Sequence, residues 1–168
     1  HLPGAHFAFE ADLQSLDAKS DVARFQRVFT SKVEHIKTLE PQLIKRLSNN
    51  QNPDGVMSWV ARQNWYKSHG IVTAVYRNDS LLLWSDNILS IPSAYSKKIF
   101  ESPLVKIKNV WVAPVVSRYD EFTIVSLVVI KIIYFHDNHL VNSGFNPDFN
   151  IFKNWTLSLK PPAENNYF

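Results

Sequence analysis

The stretch Ile71–Trp84, IVTAVYRNDSLLLW, leaves the chain few choices of fold. Ile71–Tyr76 is β-branched and apolar, Arg77-Asn78-Asp79-Ser80 supplies turn formers, and Leu81–Trp84 resumes the apolar run, so the stretch reads as a β-hairpin. Ser85-Asp86-Asn87 follows at once, three small polar residues that cannot belong to a buried strand. The 168 residues contain only four glycines, so positive-φ turns must lean on Asn, Asp and Ser, as Asn78-Asp79 already does.

A second hairpin is legible further on. Asn109–Val116 and Glu121–Tyr134 are joined by Ser117-Arg118-Tyr119-Asp120. The later of these two runs is the most continuously apolar in the chain and suits a central strand with little solvent on either face. Pro114 pushes the earlier one toward an edge or a bulge. Ser93–Phe100 has room for one helical turn. Lys153–Leu159 reads as a last short strand before the extended exit at Lys160-Pro161-Pro162.

Ahead of the hairpins the apolar period changes from two to that of a helix. Val22, Phe25, Val28, Phe29, Val33, Ile36, Leu39, Leu43 and Leu47 fall on one face. Val22, Phe29, Ile36 and Leu43 recur every seventh position with Phe25 and Leu39 at d, while Lys32 and Arg46 interrupt the alternate d positions. Asp17 or Ser20 can cap the start, and Pro41 either kinks the helix or opens a second one. Unbroken from Asp21 to Leu47 it would span about 40 Å, enough to carry motion or to dimerise. Ser48–Gly55 is rich in breakers and reads as a loop, and a shorter helix over Met57–Lys67 stops at His69-Gly70.

The expected fold class is therefore α+β: a long N-terminal helix and a short helix packed on one side of an antiparallel sheet. At this length, with 45% hydrophobic residues, one core of ordinary size closes. The expected organisation is a single domain over residues 1–168, with 1–12 as a linker, 13–69 helical and 70–160 in the sheet.

Composition removes several chemistries. No cysteine means no disulfide, thiolate nucleophile or Cys-based zinc site. The net charge of +3 is spread among acids (Lys19/Asp21, Lys32/Glu34, Lys37/Glu40), so nucleic-acid binding is not indicated. Phe122–Phe135, broken by Ser126 and Lys131, is too short for a membrane helix. His136-Asp137-Asn138-His139 is a weak metal motif without HExxH spacing, and polar capping after a strand is the favoured reading. Ser85, His69 or His136, and Asp86 form a triad only on paper, since no nucleophile elbow is present. Spacing selects no carboxylate partner for Asp86 between Asp120 and Glu101. No catalytic residue, metal or cofactor is expected.

Trp84 beside Ser85-Asp86-Asn87 offers an indole face next to hydrogen-bonding groups, which suits a small-molecule pocket. Closure of the loop on its own backbone is the favoured alternative. Trp59, Trp65, Tyr66 and Trp111 are read as core.

The run VYRNDSLLLWSDNILSIP resembles the extracytoplasmic sensor region of Bacteroides-type membrane-bound histidine kinases, with its strand, Asp-Ser turn and Trp-Ser-Asp-Asn signature. IVSLVVIKIIYFHDNHLVNSGFNPDFNI is similar to the second block of that family, the matching positions being Lys131, Tyr134, Asn138, Leu140, Asn142, Phe145 and Phe149. Where the family has a Gly-Trp-Tyr-like start to the second hairpin, this chain has Val110-Trp111-Val112. The resemblance covers residues 71–151 and implies a periplasmic input domain of a sensor histidine kinase set between two membrane helices, homodimeric in the full-length protein. The isolated domain would be no enzyme, and its signal an unspecified small molecule or protein. PAS-like and Cache-like sensor domains are similar in outline. Trp84, Ser85, Asp86, Asn87, Tyr76, Trp111 and Tyr134 are the candidate ligand-binding or signature residues. An adhesive or binding module of a secreted or surface protein is the alternative, and a small hydrolase a more distant one.

Overall fold

The computed structural model describes residues 18–49, 52–134 and 144–152. Helix α1 runs unbroken from Ala18–Ser48, 31 residues, about 46 Å at the helical rise. Ser20 lies inside it, and Asp17 falls outside the described residues. Pro41 also sits inside. Its ring removes one helical hydrogen bond, but on an exposed face the freed carbonyl of Lys37 is left to water. Asn52, whose side chain accepts from the Asp54 amide at 3.2 Å, and Pro53 start helix α2 (Pro53–Gln63) earlier than the expected loop allows. Asn64 at φ 52° then divides the expected single helix, and α3 (Trp65–His69) ends at Gly70, φ 65°.

Both hairpins form, the second with a shorter connection than the sequence suggests: Ser117, Arg118 and Tyr119, expected as joining residues, pair in the ladder and leave Asp120-Glu121 as the turn. Strands β1 (Ile71–Arg77) and β2 (Ser80–Trp84) are joined by Asn78-Asp79, both at positive φ (47° and 65°), the two-residue turn whose twist matches paired strands. Residues 85–104 follow and include the single turn α4 (Lys97–Phe100). Then come β3 (Val105–Ile107), β4 (Val110–Tyr119) and β5 (Phe122–Ile132), with Lys108 (φ 53°) and Asp120 (φ 49°) at the turns. A short β6 (Gly144–Phe145) and a 3-10 helix (Pro147–Phe152) complete the described chain. The strand expected at Lys153–Leu159 lies outside the described residues.

The antiparallel order is β2-β1-β5-β4-β3, with β6 pairing the far end of β5. The most apolar run is indeed central: every residue from Phe122 to Ile130 is buried. β4 is one strand in from the edge. Since β3 pairs only with Val110–Val112, Pro114 lies past its end, where no ladder bond is required on that side.

Both sheet faces are covered: the long and short helices share one side, as expected, and residues 85–104 with the single turn α4 cover the other. Ile71, Val75, Ile124 and Val128 face α1, α2 and α3. Val72, Ala74, Tyr76, Val125 and Leu127 face Leu89 and Phe100 of residues 85–104. The alternation along each strand dictates this division.

Candidate functional site

Along the helix-facing side of the sheet, the apolar packing is interrupted halfway. Phe25 and Ile36 of α1 pack with Ile71, Trp111, Val128 and Ile130 toward one end, and Leu43 and Leu47 with Val75, Phe122 and Ile124 toward the other. Between them lies the cross-strand pair Thr73 and Ser126, buried hydroxyls 3.4 Å apart. α1 answers with Lys32, His35 and Glu40.

Lys32 is 7% exposed. Far from breaking the buried stripe, it lies within it, because its ammonium pairs with Asp148 of the 3-10 helix at 2.6 Å and donates to the His69 carbonyl. The Asp148 amide is in turn fixed by the Asn146 side chain at 3.1 Å. One turn along α1, the His35 ring stacks on His69 with centroids 3.7 Å apart. Burial, then His69, then Lys32 hold the His35 pKa below its ordinary value.

Glu40, 4% exposed, accepts from the Tyr119 hydroxyl at 3.0 Å through Oε2. Burial raises its pKa, only partly offset by hydroxyls of Ser117, Tyr119 and Ser126. Its Oε1 and the Nε2 of His35 are buried and without a hydrogen-bond partner among the described residues. A cavity of about 10 Å³ lies between Glu40, Thr73, Ser126, Ile36, Leu43 and Trp65. That is the size and polarity a single bridging water requires.

The signature residues identified from sequence occupy several separate places. The Trp84 indole donates to Asn87 Oδ1 at 2.8 Å, and Asp86 Oδ1 accepts from the Ile88 amide at 2.9 Å, so the loop closes on itself. Ser85 continues the β1–β2 ladder, its amide donating to the Thr73 carbonyl and its Oγ accepting from the Thr73 amide. Tyr134 and Asp86 share the neighbourhood of Tyr66, whose pKa is pushed up first by burial and then by these two. Tyr76 lies on the other sheet face, donating to the Pro92 carbonyl at 2.9 Å, its pKa pushed up to about 12 by burial and Tyr95. Trp111 is buried in the cluster around Phe25.

In the second block, Lys131 lies over the Phe145 ring at 4.8 Å and Phe149 packs on Phe25. Asn138, Leu140, Asn142 and the residues His136, Asp137 and His139 fall outside the described residues. His69, placed on paper in a triad, has its ring against His35. No helix among the described residues is long and apolar enough to cross a membrane, and no group of three or more His, Cys, Asp or Glu residues among them is placed to hold a metal.

Sequence reading marked Lys32 as a charge on the apolar stripe and Ser126 as an interruption of an apolar strand, and those two were the available signals for the seam. His35 and Glu40 gave none, since nothing local says what they meet. No protein-family model, curated protein or solved structure matches this chain.

Proposed function

We propose that this chain is an extracytoplasmic input domain of a transmembrane sensor histidine kinase, in which a small-molecule or protein signal shifts α1 relative to the sheet. The observation that carries the reading is the placement of the two flanks. Phe25, near the start of α1, and Phe149, in the 3-10 helix that ends the described chain, stack with centroids 4.8 Å apart. The first turns of α1 and the 3-10 helix thus lie at one end of the sheet, an arrangement that would suit two connections to a single membrane.

α1 suits a relay because it packs on the sheet through two apolar clusters with a half-polar seam between them, and buried polar contacts of this kind have few equivalent arrangements. A signal acts only through its differential affinity for two such seatings. Val22 and Phe29, half-buried on the same helix, are the surface on which a second copy would pair in the intact receptor. The antiparallel sheet behind a long N-terminal helix is compatible with a PAS-like, Cache-like architecture, which supports the reading by fold analogy.

The test is the reading frame on either side of these residues. An apolar span of about 20 residues is expected on each side, the second followed by a dimerisation and phosphotransfer region. A frame that closes without a second span contradicts the proposal and leaves the secreted binding module.

A further inference from the structure

Among the described residues, His35 and His69 bring two titratable side chains from distant elements ring on ring inside the helix–sheet joint. We propose that these stacked imidazoles form a proton-binding latch: with at least one ring neutral, α1 is seated on the corner between α3 and β1, and uptake of the second proton unseats the middle of the helix. The latch belongs to this domain alone, whether or not a kinase is attached.

The geometry sets the mechanism. At a centroid separation of 3.7 Å, tilted 38°, two neutral rings stack favourably, and one imidazolium over a neutral ring is tolerated. Two imidazoliums repel at that separation, and Lys32, three residues before His35, brings a third positive charge to the same corner through its bond to the His69 carbonyl. His35 Nε2 is buried and has no hydrogen-bond partner among the described residues, so a proton gained there finds no acceptor among them.

The charged groups around the pair do not offset this. Asp148, from the 3-10 helix, is already paired to Lys32. Glu34 is an exposed partner of Lys37. β1 and β5 contribute Thr73 and Ser126, which do not titrate in this range, and β4 contributes Tyr119, bonded to Glu40. Glu40 works in the opposite sense. Its pKa is raised in the seated state, so its proton favours seating, and that contribution fades as pH rises through the raised value. His35 has a lowered pKa, so its contribution is complete above the ordinary imidazole value of about 6.5 and is lost as pH falls below it.

The test is an NMR titration of the full 168-residue chain from pH 8 to 4.5, following both imidazoles and the backbone amides of residues 31–39. The expected result is a coupled pair whose second proton is taken up below the ordinary imidazole range. The α1 amides move with the second proton, and the unseated population rises about tenfold per pH unit across that window. In His35→Phe, which keeps an aromatic ring and loses the proton site, the α1 change disappears; in Glu40→Gln it becomes steeper. Independent titration of the two rings at ordinary values, or α1 amides that ignore the second proton, would overturn the latch. If His35→Phe fails to fold, His69→Phe and the unmodified titration decide it.

Discussion

Phe25→Ala is expected to cost about 3–5 kcal/mol of folding stability, the range for deleting a buried aromatic ring. Phe25 is 1% exposed, stacked on Phe149 and enclosed by the cluster that includes Ile36, Ile71 and Val128. Little can collapse into the space, because β1 and β5 are fixed by their ladder and only the 3-10 helix is free to follow. Phe29 is the contrast. Half-buried on the same helix, it packs against the margin of that cluster, so Phe29→Ala should cost roughly 1 kcal/mol. Urea unfolding gives both values, and size-exclusion chromatography reports association. A small loss for Phe25→Ala accompanied by a change in association would mean that the heptad residues serve as a dimer seam before they serve as core.

Gly70→Ala is expected to cost about 3 kcal/mol, for two reasons that add. The backbone at φ 65° is left-handed, which costs an L side chain about 1–2 kcal/mol. A Cβ there would also lie 2.6 Å from Asn146 Nδ2. Asn146 can turn away, but its Oδ1 holds the Asp148 amide and so positions the carboxylate that pairs with Lys32. Losing that bond costs on the order of 1 kcal/mol. Gly70 also joins α3 to the sheet, its carbonyl accepting from Val129 at 2.9 Å. Gly55 is the control: it is exposed in α2 with nothing within 4 Å of its Cβ position, so Gly55→Ala should raise stability by up to about 1 kcal/mol. Equal midpoints for the two variants in urea would show that neither strain nor crowding acts at residue 70.

These residues mark where sequence reading reached and where it stopped. The β1–β2 turn was legible because Asn78 and Asp79 carry their conformational preference within two positions, and β5 because nine consecutive buried residues have no other plausible home. The self-closing loop at Trp84–Asn87 was equally local. β3 and β6, with three and two residues, are too short to show a period. The polar seam escaped for a different reason: Lys32 meets residues 37 and 116 positions away, and Glu40 a hydroxyl 79 positions away. On the helix alone they look like solvated charges. Only the pairing of β1 with β5, which brings Thr73 to Ser126, creates the polar rung they face, and only the return of the chain after β5 brings Asp148 to Lys32.

Held by apolar contacts at both ends and a polar seam between them, α1 is expected to behave as a separately seated element. Native-state hydrogen exchange at pH 7.5 tests it most directly. The amides of residues 32–40 are expected to open together, at a free energy clearly below that of Ile124–Val129 in β5, because the middle of α1 can leave the sheet without breaking its ladder. Exchange of both segments at one common free energy, reached only by global unfolding, would show that α1 is an integral part of a single cooperative core and would contradict the account.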